Sequence, residues 1–165
     1  MYINFWYPVC LTKELEDKPL KATILGLDFV AFRDSKGKAH CLSDVCCHRG
    51  GSLAGGLCHS EDDTIACPYH GWRFNGSGKC TKIPSLGPGS KIPARAKVDS
   101  YPVKERYGIV FAFLGDLSEE ERSPLYEIEE FEAEGWRANK TVIIDINYNY
   151  ERSIENGLDP AHNEF

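Results

Sequence analysis

Two short segments carry side chains able to bind a metal: Cys46-Cys47-His48-Arg49-Gly50 and Cys67-Pro68-Tyr69-His70-Gly71-Trp72. The pattern is Cys-x-His, 18 residues, then Cys-x-x-His. Two thiolates and two imidazoles could hold tetrahedral zinc. A zinc finger, however, usually spaces Cys from Cys and His from His, with both His on one helix. Here each segment supplies one ligand of each kind, and Pro68 and the glycines exclude a helix. Mixed loops suit a two-iron cluster, in which one iron takes both thiolates and the other both imidazoles. Colour separates the two, since an iron–sulfur cluster absorbs visible light and zinc does not.

The flanking sequence predicts short strands to hold these loops. Ala22 to Phe32 reads as two strand-length runs around a Gly26-Leu27-Asp28 turn. A second turn at 33–37 leads into Ala39 to Leu42. Thr64 to Ala66 and Trp72 to Phe74 are further strands, followed by the turn Asn75-Gly76-Ser77-Gly78, whose residues tolerate positive φ. Val98 to Val103 and Ile109 to Leu114 form a last pair around Arg106-Tyr107-Gly108. Such spacing predicts a mainly β fold, a small antiparallel sandwich or barrel carrying two cluster-binding loops.

Near residue 116 the character changes. Ser118 reads as an N-cap before the acidic first turn Glu119-Glu120-Glu121, 125–135 as an acidic helix or loop, Thr141 to Ile146 as a strand, and Tyr150 to Leu158 as a helix. The expected domains are 1–116 and 117–165. The second is too short for a well-buried core of its own and reads as the truncated beginning of something larger.

Composition narrows the class. With 42% hydrophobic and 27% charged residues in 165, the chain is globular. It has no apolar run of the roughly 18 residues a membrane span needs and no secretory leader pattern, which points to a cytoplasmic protein. A net charge of −6, with no basic stripe to offset it, argues against a nucleic-acid surface. Seven cysteines (10, 41, 46, 47, 58, 67 and 80), an odd total without secretory context, argue against a disulfide framework. Cys47 is expected to point away from the metal site. Cys10, Cys41 and Cys80 read as packed thiols, Cys58-His59 as part of a solvated loop, and His40 as a surface or strand-end residue.

The two loops, together with Phe5-Trp6-Tyr7-Pro8-Val9, Cys67 to Phe74 and Lys79 to Ser85, resemble the N-terminal part of Rieske non-haem iron oxygenases. The resemblance implies a Rieske [2Fe-2S] cluster with Cys46 and Cys67 on one iron and His48 and His70 on the other. High-potential respiratory Rieske proteins are similar, but carry Ser and Tyr where this chain has Trp72 and Phe74. Their loop-to-loop disulfide falls on Gly51 and Tyr69. Hydrogen bonds to the cluster raise its potential, so their loss points to about −150 mV rather than about +300 mV.

The last segment resembles the family's mononuclear iron motif. Glu155-x3-Asp159-x2-His162 fits its first three members, and its second His would fall two positions past Phe165. The resemblance implies a mononuclear Fe(II) bound in part by His162, inside a helix-grip α+β catalytic domain of which only the opening is present. One His cannot hold catalytic iron, because the facial triad needs two His and a carboxylate. Asp159 is expected to bridge His70 of one chain to His162 of the next, across a homotrimer. A terminal oxygenase is implied, with a reductase or ferredoxin as electron donor and O2 and a small organic, often aromatic, substrate. Hydroxylation, dihydroxylation and demethylation all stay open, as does the alternative of a Rieske ferredoxin that only carries electrons.

Overall fold

The structure, a computed structural model, describes residues 3–87, 89–131, 133–138 and 144–161. It falls into two compact units, Met1–Glu127 and Ile128–Phe165. Among the described residues no helix is long and apolar enough to cross a membrane.

The first unit is built from three antiparallel sheets, none closed into a barrel. One contains β1 (Phe5–Leu11), β11 (Ile109–Leu114) and β10 (Val103–Arg106), in that order. The second runs β2 (Leu20–Ile24), β3 (Leu27–Arg33), β4 (Ala39–Ser43) and β9 (Ser100–Tyr101). The third runs β5 (Leu57–His59), β6 (Thr64–Ala66), β7 (Arg73–Asn75) and β8 (Cys80–Lys82).

The second sheet lies between the other two, which explains the apolar run Phe29-Val30-Ala31-Phe32. Successive strand residues point to opposite faces. Phe29 and Ala31 pack with Cys41, Val110 and Ala112 against the first sheet. Val30 and Phe32 pack with Leu42, Ile65, Phe74 and Cys80 against the third. All four are buried, so β3 is apolar on both faces instead of alternating.

Turn chemistry sets the registers. The β2–β3 hairpin turns on Leu25 and Gly26, both at positive φ (55° and 76°), with Ile24 opposite Leu27. The expected turn at 26–28 is therefore displaced. A two-residue loop with positive φ at both positions matches the twist of its strands, and Asp28 stays in β3 to bond Thr23 and Lys21 on β2. The stretch 98–103, read as one strand, is two. Pro102 supplies no N–H, and the chain changes there from the second sheet to the first.

From 117 to 127 the chain straps onto the first sheet. Trp6 donates through Nε1 to the Ser123 carbonyl at 2.8 Å, and Arg106 pairs with Glu127 at 2.7 Å. The acidic run after Ser118 forms only a 3-10 turn, Glu119–Glu121, because Pro124 follows and disfavours continuation. In the second unit α1 spans Tyr150–Leu158, with Asn149 capping the Glu151 N–H. Thr141 to Ile143 lie outside the described residues and Ile144 to Asn147 are not in a strand.

Candidate metal centre

Two loops leave the ends of β4 and β6 with the same hydrogen-bond plan. In the first, Cys46 N–H bonds the Gly51 carbonyl at 2.9 Å and Gly50 N–H returns to the Cys46 carbonyl at 2.8 Å. In the second, Cys67 N–H bonds the Trp72 carbonyl at 2.8 Å and Gly71 N–H returns to the Cys67 carbonyl at 2.9 Å. Gly50 and Gly71 occupy equivalent places with φ of 72° and 70°, a conformation that disfavours side chains. Each loop is thus a tight turn that starts on a buried cysteine and lifts a histidine two or three residues later.

Asp44 braces the first loop. Its carboxylate is buried and accepts from Ser52 Oγ at 2.7 Å and Ala54 N–H at 2.6 Å. Nothing in the chemistry of the two metal-binding segments singled it out in the sequence. Its signal was its place two residues before Cys46.

The four expected ligands lie in two pairs, each of one kind. Cys46 and Cys67 are each 2% exposed and lie side by side. The His48 and His70 rings lie 4.6 Å apart, centroid to centroid. Among the described residues no three His, Cys, Asp or Glu side chains gather as ligands of one ion. The grouping is two thiols and two imidazoles, which matches a two-iron cluster rather than one tetrahedral ion.

Four details fit such a cluster. His48 Nδ1 is buried and has no hydrogen-bond partner, a costly condition that a metal bond relieves. A Cβ on Gly51 would lie 3.1 Å from Cys67 Sγ and 3.4 Å from Tyr69 Cβ, so a larger residue there would crowd the thiol. Burial, and then the adjacent Cys67, push the Cys46 thiol up to about 11, so its proton must leave to a cation's advantage when metal binds. Burial, with the charges of His70 and Arg49 nearby, holds His48 below the ordinary histidine range and keeps its lone pair free.

The indole of Trp72 lies flat on the His48 ring, with centroids 4.5 Å apart and planes 4° from parallel. Sequence reasoning used Trp72 only as a missing hydroxyl; its ring contact is visible only once the two loops meet. Phe74 is fully buried in the core beneath.

The remaining thiols and imidazoles behave as packing or paired groups. Cys47 is exposed, whereas Cys41 and Cys80 are buried and Cys10 half-buried. Cys58-His59 belongs to β5, not to a loop, and His59 bonds Glu61 at 3.0 Å. His40 is the second residue of β4, near the strand end, half-buried and bonded to Asp34 at 2.9 Å. Asp159 ends α1 and accepts from Ala161 N–H at 3.1 Å, while Glu155 pairs with Arg152. His162 lies outside the described residues.

Comparison with known proteins adds four findings. The Rieske [2Fe-2S] domain family matches residues 5–102. The chain is 37% identical over 158 residues to Protein TIC 55, chloroplastic, of Arabidopsis thaliana, covering 95% of this chain and 29% of that protein. It is 36% identical to phenoxybenzoate dioxygenase subunit alpha of Ectopseudomonas oleovorans, covering 96% and 41% respectively. Among solved structures, dicamba monooxygenase with non-haem iron and dicamba superposes with a TM-score of 0.63 at 36% identity, over 68% of this chain and 33% of that one. The chain therefore spans less than half the length of these relatives.

Proposed function

This chain belongs to the Rieske [2Fe-2S] domain family, and from that premise we propose that it forms the electron-accepting N-terminal part of a Rieske terminal oxygenase. Cys46 and Cys67 hold one iron of the cluster, and His48 and His70 the other. The observation that carries this reading is the pairing of thiol with thiol and imidazole with imidazole, with His48 Nδ1 buried and unpartnered. When bound, the cluster supplies a centre that takes up and passes on single electrons.

The chain's own residues do the rest. Cys46 and Cys67 would give up their protons on binding, because the thiolate and not the thiol is the metal ligand. Neutral His48 presents Nδ1. Asp44 fixes the loop that carries Cys46 and His48, and Trp72 shields one face of the His48 ring from water. Neither Trp72 nor Phe74 offers a hydroxyl to the cluster, which favours about −150 mV over about +300 mV.

Residues 117–165 are read as the opening of the catalytic domain, with His162 a ligand of mononuclear Fe(II) and Asp159 joining it to His70 of a neighbouring chain in a trimer. The whole protein then uses O2 and electrons from a reductase or ferredoxin to oxidise a small organic substrate, in the cytoplasm. Matches to oxygenase subunits run over 96% of the chain, beyond the β sheets, and this supports an oxygenase over a free electron carrier.

Anaerobic loading with iron and sulfide tests the ligand set. Wild type and Cys47→Ser should both take up the cluster and its visible absorption, and Cys67→Ser should not. Equal damage from both variants would overturn the assignment.

A further inference from the structure

The two loops come within reach of a covalent bond at Gly51 and Tyr69, but neither residue carries sulfur. A Cβ on Gly51 would lie 3.4 Å from Tyr69 Cβ, and disulfides hold their Cβ atoms about 3.8 Å apart. The sulfurs that do meet across the loops belong to Cys46 and Cys67. Gly51 locates both: its carbonyl accepts the Cys46 N–H at 2.9 Å, and Cys67 Sγ lies 3.1 Å from the place of its Cβ. One thiol donates to the other's sulfur, both are reduced, and each residue is 2% exposed.

The other thiols are engaged elsewhere. Cys47 is exposed, and its sulfur accepts the Lys97 backbone N–H. Cys80 donates to the Lys82 carbonyl at 3.5 Å. Cys41 packs with Phe29 and Ala112, Cys10 packs against Ala31 and Val110, and Cys58 stands opposite Ile65 in the β5–β6 pair. Cys46 and Cys67 face each other sulfur to sulfur, with 20 residues of chain between them.

We infer that the metal-free site is a redox switch: a peroxide joins Cys46 to Cys67 in a disulfide, and the site accepts iron only after a dithiol has reopened it. The inference rests on the ligand assignment above. One sulfur takes an oxygen from the peroxide, which releases water and leaves a sulfenic acid; the second sulfur displaces that oxygen, which departs as a second water. Two thiols and one peroxide thus become one disulfide and two waters. Because the thiolate is the metal ligand, the bond removes both ligands of one iron and leaves His48 and His70 unchanged. In the reverse step the dithiol's two sulfurs join, and Cys46 and Cys67 take up its two hydrogens.

The test treats the fully reduced, metal-free chain with one equivalent of hydrogen peroxide under anaerobic conditions. Free thiols should fall from seven to five, and tandem mass spectrometry of the wild-type chain should place the bond between Cys46 and Cys67. Cys47→Ser should form the same bond, and Cys46→Ser and Cys67→Ser should not. With iron and sulfide but no added thiol, the bridged chain should gain visible absorption at least about fivefold more slowly than the reduced chain, and prior dithiothreitol should restore the rate. A reduced chain that takes up neither iron nor sulfide refutes the ligand reading beneath the inference. A chain that loads when reduced, yet keeps seven thiols after peroxide or forms its bond through Cys47, refutes the switch alone. So does a bridged chain whose loading is slowed by less than that margin.

Discussion

Trp72 and His48 come from different loops, yet their rings are stacked 4.5 Å apart and within 4° of parallel. The contact ties the loop of Cys67 to the loop of Cys46 independently of any metal. An aromatic pair contributes about 0.5–1.5 kcal/mol beyond the area it buries. Trp72→Leu should therefore lower the melting midpoint of the metal-free chain by about 2–4 °C, and the loaded chain should bleach faster in air. Trp72→Phe should restore most of both. Calorimetry and the decay of visible absorption measure the two effects.

Asp44 is the second brace. Removing its buried carboxylate takes the acceptor from Ser52 Oγ and the Ala54 N–H, and bonds to a charged acceptor contribute about 1.5–3 kcal/mol each. Asp44→Ala should cost about 2–4 kcal/mol and lower the midpoint by about 5–10 °C. Asp44→Asn should cost far less, because its amide oxygen still accepts from Ala54 and Ser52 can turn its hydroxyl to accept in return. Thermal melts of both variants, with iron content, check this. Equal losses would mean that charge, not the hydrogen-bond plan, holds the loop.

The packed thiols predict an alkaline limit. Burial pushes Cys41 up to about 12, and burial with Glu14 pushes Cys10 up to about 11. Both are acids whose folded-state value is raised, so their contribution is present below the ordinary thiol range and is lost as pH rises through the folded values. Stability of the metal-free chain should decline from about pH 9 upward. Cys41→Ala should flatten that decline while costing stability at neutral pH, as measured by denaturant melts across pH.

The proposed role of Asp159 is tested in the full-length protein. Asp159→Asn should leave cluster and iron content nearly intact but slow electron transfer between the two centres, since a neutral amide pairs less well with an imidazole N–H. His162→Ala should lose the mononuclear iron and keep a reducible cluster. Metal analysis and single-turnover reoxidation separate the two, and normal product formation in both would remove the second site from this chain.

Much of the frame was legible because its signals are local. Thr64–Ala66, Ile109–Leu114 and Tyr150–Leu158 fall where β-rich runs and helical spacing place them. The β2–β3 turn was misplaced by weight given to Asp28, which prefers turns but here serves a cross-strand pair with Lys21. β5 was hidden between glycines and the acidic turn at 61–63, and only its pairing with β6 makes it a strand. The metal-ligand spacing was legible as chemistry. Asp44 and the Trp72 stack were not, because each depends on segments far apart in sequence meeting in space.

The most direct test of the central claim is electron spin echo spectroscopy of the reduced, loaded chain, with iron and sulfide assays on the same sample. Two irons, two sulfides and nitrogen couplings from two imidazoles are expected, with one coupling lost in His48→Cys and the other in His70→Cys. A colourless chain holding one zinc, or a cluster whose spectrum shows no nitrogen coupling, would contradict it.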